Sequence, residues 1–505
     1  MPETSNEFTR RPSATGRPFS KQAAAILLLI LIAGLGLRLY RLNDQSVWFD
    51  EAFSLTAANR PLGEMTATVV EDFVHPPLHY YLLHGVFRTL GFGDFQARLV
   101  SVVFGTLTIA VMFLLGRYVY DTAAGLIGAL LMAVSQLAVM YSQEARPYAM
   151  AVFFTACSIL CFVVALRERR RMAWAGFLLF GILMLYTHYY TVLILAGLLL
   201  YDVVARRNQP GIPVRWWMVW GAVLALAFLP WLASGVVGNA LHSPRTIPAG
   251  QPPWILDQWS ALIRDVNRFD NGAVDGLRAK VPWWSFAAGG LLFVWPVWLA
   301  VRRLASRATA LPENRGDVRS TALLATLWLA PHLTLMILAL KGVPYDVRYA
   351  LACTVPYYLL AGRGITIMRS RIWRCASLAG ILLYSGYALR ADYFIPYKEN
   401  YRDALGHIAN AQQPGDCALF FPDGTLPLQW GVYHAGQTPP RIIRPEPETS
   451  DMEGCKRIWL VTYTKAAPPS GQLRSVHRNL TASFIEVERQ HYFGVDVMLY
   501  ARPPL

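Results

Sequence analysis

Long apolar runs, recurring from one end of the chain to position 390, constrain this sequence more than any other feature. A helix needs about 20 apolar residues to cross a bilayer and at least about 17. Stretches meeting or approaching that length fall at 22–40, 98–117, 122–141, 147–166, 172–187, 188–205, 215–234, 283–301, 320–340, 349–368 and 373–390, about eleven in all by the same rule. The 172–205 stretch is too long for one crossing at about 1.5 Å per residue, and both of its ends are flanked by Arg. It reads as two short helices turning at Tyr186–Thr187–His188–Tyr189. With 54% hydrophobic and only 15% charged residues, the chain is a polytopic α-helical membrane protein.

Charge placement orients the spans, because Lys and Arg collect in cytoplasmic loops. The N-terminal tail, Arg117, Arg167–Arg171, Arg206 with Arg207 and Arg215, Arg302–Arg319 and Arg369–Arg374 alternate with loops of weaker positive bias. The implied orientation is N-terminus in and C-terminus out. The formal net charge of +14 therefore follows membrane topology, and no nucleic-acid partner is implied. A basic tail over 1–21 followed by the first apolar run has the form of an uncleaved signal anchor. Six of the 46 basic residues are Lys (Lys21, Lys280, Lys341, Lys398, Lys456 and Lys465), leaving forty Arg.

Three regions follow from this pattern: the cytoplasmic tail 1–21, a membrane domain 22–390, and a soluble extracytoplasmic domain 391–505. In the last, a helical stretch at Arg402–Ala411, a Pro-Gly-Asp turn at 414–416 and strand-like runs at Cys417–Phe421 and Arg457–Tyr463 read as a mixed α/β unit. Cys417 and Cys455 both lie there and could pair if the domain faces an oxidising compartment. The other cysteines lie in or beside apolar runs, where they pack.

On the outer side, in this topology, fall the loop 41–97, the turn near 142–146, the turn at 186–189, the loop 235–282 and the segment 341–348. Val47-Trp48-Phe49-Asp50-Glu51-Ala52 sets two adjacent carboxylates among aromatic residues. They are either ordinary loop solvation or an interfacial base. In His75-Pro76-Pro77-Leu78-His79-Tyr80-Tyr81 the proline after His75 disfavours helix there, so His75 and His79 do not form a helical metal-ligating pair. The prolines make a stiff entry to the next segment, with His75 at its start as a ligand or polar site residue. Ser142-Gln143-Glu144-Ala145-Arg146-Pro147-Tyr148 is either an ion-paired turn, Glu144 with Arg146, or a place where Arg146 offers its fork to phosphate. Tyr345-Asp346-Val347-Arg348-Tyr349 puts a second Arg beside aromatics, to snorkel or to bind. Nucleotide-binding glycine loops, paired Cys-x-x-Cys motifs and His-Glu-x-x-His are missing.

Taken together, Trp-x-Asp-Glu-Ala, His-Pro-Pro-Leu-x-Tyr-Tyr, Ser-Gln-Glu-Ala-Arg-x-Tyr, Thr-His-Tyr-Tyr and the late Arg-Tyr resemble the C-type membrane glycosyltransferases. The closer resemblance is to the bacterial branch of the protein O-mannosyltransferase family, relatives of the lipid A aminoarabinose transferase. It is densest over 22–205 and weakest after 390. It implies a multi-pass enzyme of the bacterial inner membrane with its site on the periplasmic side. Its donor would be a polyprenyl-phosphate sugar and its acceptor a lipid, glycan or protein hydroxyl. Carried over residue by residue, Asp50 matches the base and Glu51 its neighbour. His75 takes the first position of the His-Pro-Pro motif and Arg146 a phosphate contact, with Glu144, His188, Arg348 and Tyr349 completing the substrate site. Glu51 and His75 are the candidates for holding a divalent cation. Where the aminoarabinose branch has Lys before its proline this chain has His75, so the resemblance names neither sugar nor acceptor. The competing readings are a transporter or flippase of lipid-linked sugars, which would carry its ionisable groups near the bilayer midplane, and an O-antigen polymerase or ligase, which would take a diphosphate-linked oligosaccharide.

Overall fold

The computed structural model describes residues 20–205, 212–242, 288–304, 315–340, 346–421, 426–434, 436–444, 447, 449–464 and 470–503. Residues 1–19 of the N-terminal tail, most of the 235–282 loop and most of the 341–348 segment lie outside the described residues. In chain order the helices are α1 (Lys21–Leu39), α2 (Phe49–Ala58), α3 (Leu62–Asp72), α4 (Leu78–Leu90), α5 (Asp94–Val119), α6 (Thr122–Val134), α7 (Gln136–Ser142), α8 (Tyr148–Glu168), α9 (Arg171–Leu185), α10 (Val192–Ala205), α11 (Val214–Trp231), α12 (Val237–His242), α13 (Trp295–Val301), α14 (Arg315–Leu340), α15 (Thr354–Thr366), α16 (Arg371–Phe394), α17 (Tyr401–Ala411), α18 (Leu426–Tyr433) and α19 (Ser470–Thr481). The chain divides into two compact units: residues 1–40, 62–82 and 98–392, and residues 41–61, 83–97 and 393–505.

Every apolar run read from the sequence coincides with helix in the described residues, but the runs differ in kind. Among the described residues six helices are long and apolar enough to cross a membrane: Lys21–Leu39, Asp94–Val119, Tyr148–Glu168, Val214–Leu241, Gly316–Leu338 and Arg371–Phe394. A seventh crossing, 122–141 in the sequence reading, is interrupted: α6 and α7 meet at a 58° bend. Ser135 sits in the break and caps α7, its Oγ accepting from the Ala138 N–H at 3.2 Å. The runs at 172–187, 188–205 and 283–301 become the shorter helices Arg171–Leu185, Tyr189–Val204 and Gly290–Val301. The run at 349–368 opens as a 3-10 turn over Val347–Cys353 before α15.

The bend frees carbonyls at the end of α6 that a continuous helix would have bonded. Arg38, in the last turn of α1 and fully buried, takes them up. Its guanidinium donates to the carbonyls of Met132 at 3.0 Å, Ala133 at 3.1 Å and Gly34 at 2.9 Å, and its Nε–H to Ser142 Oγ at 3.1 Å. Gly105 of α5 leaves room for this, since a Cβ there would lie 2.1 Å from Ser142 Oγ and 3.0 Å from Arg38 Nε. The direction of α7, and of the turn that follows it, is thus set from the first span.

In the second unit a five-stranded sheet runs in the order β2–β1–β3–β5–β4, built from β1 (Asp416–Phe421), β2 (Arg441–Ile443), β3 (Arg457–Tyr463), β4 (Ile485–Tyr492) and β5 (Val495–Ala501). β1 pairs parallel with β2 and β3, and β5 antiparallel with β3 and β4. All six residues of β1 are buried, as befits a strand covered on both faces. Ala418 and Phe420 pack with α17 and Trp430 of α18. Cys417, Leu419 and Phe421 pack on the other side with Val476 and Leu480 of α19. Cys417 and Cys455 form a disulfide, with Cα atoms 5.6 Å apart.

Candidate active site

In the first unit, four separated segments converge on Tyr148. The His-Pro-Pro segment is non-helical, with Phe73 at φ +49°, and α4 starts at Leu78, as the prolines require. The Leu78 N–H donates to the Tyr186 carbonyl at 3.1 Å, which fastens this segment to the Thr-His-Tyr-Tyr turn. As a result the His75 and His188 rings lie 5.2 Å apart, and each meets the Tyr148 ring, at 5.8 Å and 5.6 Å. The Tyr148 ring also packs at 5.0 Å against Tyr141.

Both arginines reach this cluster. Arg146 follows the short turn after α7, where its N–H bonds the Glu144 carbonyl at 2.8 Å and its own carbonyl accepts from Ser101 Oγ at 3.2 Å. Its guanidinium lies 6.0 Å from the Tyr148 ring, and Glu144 and Arg146 are both buried. Arg348 opens the 3-10 turn capped by Asp346. It pairs with the Asp346 carboxylate at 3.0 Å and directs an N–H towards the Tyr148 hydroxyl at 3.4 Å. Beside it, Tyr349 stacks on Tyr190 at 4.6 Å. A small cavity lies among Tyr148, His188, Thr191, Arg348, Tyr349 and Leu351.

Electrostatically the cluster favours an anion. Burial, with Arg146 next, lowers the proton affinity of His75 well below the ordinary histidine range, and His188 and Arg348 add to the effect. Burial, Arg146 and Arg348 bring His188 down to about 3. Both imidazoles are therefore neutral near pH 7. The two ring nitrogens of His75 and Nε2 of His188 are buried without a hydrogen-bond partner among the described residues. Neutral imidazoles beside two guanidiniums can donate N–H bonds to a phosphate.

The acidic motif belongs to the second unit. Asp50 and Glu51 occupy the first turn of α2, where a helix dipole favours negative charge. The two carboxylates diverge: Glu51 is fully buried and Asp50 is half-buried. Lys398, itself buried, donates to Glu51 Oε2 at 2.9 Å. The residues offered as cation ligands form no donor set. Glu51 is engaged by Lys398, and among the described residues no three His, Cys, Asp or Glu side chains come together to hold a metal.

Sequence reasoning missed Lys398, Arg38, Tyr148 and Tyr190 as parts of this machinery. Lys398 stood out as a rare Lys just beyond the last span. Arg38 was an ionisable group inside a span, which by itself marks a residue with a task. Both tyrosines sat inside motifs already singled out.

With this geometry in hand, the comparisons are coherent. The fold matches ArnT from Cupriavidus metallidurans bound to undecaprenyl phosphate over 95% of this chain and 97% of that one, with a TM-score of 0.57 at 12% identity. It also matches the archaeal oligosaccharyltransferase AglB from Archaeoglobus fulgidus, solved with an inhibitory peptide and a dolichol-phosphate, over 88% of this chain and 69% of that one, at 0.54 and 13%. The likeness to both is one of fold. Residues 74–234 match the model of the dolichyl-phosphate-mannose-protein mannosyltransferase family. A comparison with curated protein sequences finds no match.

Proposed function

We propose that this protein is an inverting glycosyltransferase that moves a hexose or pentose from a polyprenyl-phosphate donor to the hydroxyl of a lipid, glycan or protein. The observation that carries this reading is the gathering of Arg146, Arg348, His75 and His188 around Tyr148, a buried donor-rich cluster suited to a phosphate. The family match over the three segments His75, Arg146 and His188 supports it, and the name of ArnT's ligand, undecaprenyl phosphate, suggests the donor class.

In the proposed reaction the acceptor oxygen attacks the anomeric carbon as Asp50 removes the hydroxyl proton. The bond from that carbon to the phosphate oxygen breaks, and the polyprenyl phosphate leaves as an anion. A phosphate leaves without a proton, so one base suffices. Hydrolases that expel a poorer leaving group use two separated carboxylates. Arg146 and Arg348 stabilise the charge that grows on the phosphate. Eleven crossings with the N-terminus in the cytoplasm would put this chemistry on the outer face of a bacterial inner membrane. The Cys417–Cys455 disulfide favours that orientation, since such bonds persist in oxidising compartments.

The test is to incubate the purified protein with a panel of polyprenyl-phosphate sugars and candidate acceptors and to measure released polyprenyl phosphate. We expect release with one sugar class, and a loss of about 10²-fold or more in Asp50→Asn. Retention of more than about a tenth of the turnover in that variant would remove Asp50 as the base.

A further inference from the structure

The acidic turn is held by residues some 350 positions further along the chain. Gln45 Oε1 accepts from the backbone N–H groups of Tyr397 and Lys398, both at 3.1 Å. The Tyr433 hydroxyl bonds Ser46 Oγ at 2.9 Å and receives the Val47 N–H at 2.5 Å. Arg402 donates to the Asn43 carbonyl at 2.9 Å and to Asp94 at 2.8 Å, and its own N–H meets Ser46 Oγ at 3.1 Å. Helix α2 crosses α18 where Gly431 leaves space for Thr56, whose Cγ2 would lie 3.3 Å from a Cβ there. At the centre of these contacts Lys398 neutralises Glu51.

A buried ion pair is a weak source of net stability, because desolvating both charges offsets their attraction. Its stronger effect is to fix register: the Lys398 ammonium holds the fully buried Glu51 carboxylate at 2.9 Å. Glu51 so fixed determines where its neighbour Asp50 stands on the first turn of α2. We infer that the segment from Tyr397 to Tyr433 of the C-terminal unit is the positioning element for Asp50, with Lys398 as the positioning residue and Tyr433 and Arg402 as its supports. The inference rests on the reading of Asp50 as the base. It gives the C-terminal unit a task in the transfer step, since a displacement of about 1 Å at a reacting group can cost on the order of 10²-fold in rate.

The full-length protein in lipid nanodiscs supplies two independent readouts: amide hydrogen exchange over residues 47–58, and turnover with the donor and acceptor found in the panel above. For Lys398→Met we expect faster exchange confined to 47–58. With it should come a fall in kcat of tenfold or more at unchanged donor KM, and partial recovery of both in Lys398→Arg. The double variant Glu51→Gln with Lys398→Met, which removes both charges, should exchange more slowly over 47–58 than Lys398→Met alone. Tyr433→Phe removes one hydroxyl and keeps the fold, and should raise exchange at 46–48 and lower kcat to a smaller degree. Wild-type exchange and wild-type kcat in both Lys398→Met and Tyr433→Phe would overturn the proposal. A wild-type protein that turns over no donor would refute the transferase reading, while the exchange data would still decide whether Lys398 holds the turn.

Discussion

The acidic turn at Asp50–Glu51 and the basic turn at Glu144–Arg146 are each backed by one buried cation, and they differ in what that cation balances. Lys398 meets a full carboxylate charge on Glu51. Arg38 distributes its charge over the carbonyl dipoles of Gly34, Met132 and Ala133 and the hydroxyl of Ser142. The acidic turn is therefore neutralised at Glu51, while Asp50 beside it is half-buried. The basic turn gains no negative charge from its support, and in the cluster ahead of it both ring nitrogens of His75 and Nε2 of His188 lack a hydrogen-bond partner among the described residues. A region whose charges are closed internally is complete as structure. One that keeps buried donors unanswered is complete when an anion arrives.

Removing Arg38 should break this contrast most severely. Arg38→Met leaves the Met132 and Ala133 carbonyls without this donor at a bend inside the membrane unit, whereas the Gly34 carbonyl keeps its helical bond. At about 1 kcal/mol or more for each buried group left unsatisfied, the loss is roughly 2 kcal/mol. We expect a markedly lower melting temperature in detergent, with Arg38→Lys intermediate. A wild-type melting curve for Arg38→Met would show that the bend is held by other contacts. Next in size are the arginines of the cluster. A hydrogen bond to a charged group contributes about 1.5–3 kcal/mol, so Arg146→Ala should weaken polyprenyl-phosphate binding by about tenfold to a hundredfold. Arg348→Ala should cost less, because Asp346 already takes part of its charge. Unchanged lipid-phosphate affinity in Arg146→Ala would return that residue to a purely ion-paired turn.

The spans were legible because hydropathy over 17 or more residues reports a property of the solvent, the bilayer, and needs no knowledge of neighbours. The same reasoning finds the non-helical entry at His75, since proline acts on the residue beside it. It misses the 58° bend at Ser135, because Ser135 and Gln136 are too few to interrupt an otherwise apolar run and the bend is held by Arg38 from another helix. β3 was legible to the residue, as Arg457–Tyr463, because a run of β-branched and aromatic residues states its own conformation. The helical form of Asp50–Glu51 was not read, and neither was the Lys398 tie. A contact 347 residues apart in sequence leaves no local pattern, and a single Lys among many Arg marks its residue without naming its partner. The motifs thus supplied the residues gathered around Tyr148 and those on the first turn of α2, while the contacts that hold them depend on packing.

The smallest effect is also the one that most directly asks whether the basic cluster awaits an anion. His188 titrates near 3 in the folded protein and near 6.5 when unfolded. Between those values the unfolded chain binds more protons than the native one, so stability rises with pH across that window. The contribution from His188 is complete above about 6.5 and is lost as pH falls towards 3, and His75 shifts in the same direction. A phosphate seated against these imidazoles reverses the sign of the field they feel and raises their proton affinity. Binding of polyprenyl phosphate should then add protons to these imidazoles, against the proton that the phosphate itself, with a second pKa of about 6, gives up beside two guanidiniums. Calorimetry in two buffers of different ionisation enthalpy measures this directly. His75→Gln and His188→Gln should each reduce the uptake while Asp50→Asn leaves it unchanged. Net proton exchange in His75→Gln and His188→Gln equal to that of the wild type would mean that the phosphate lies elsewhere, and that these nitrogens are not its receptor.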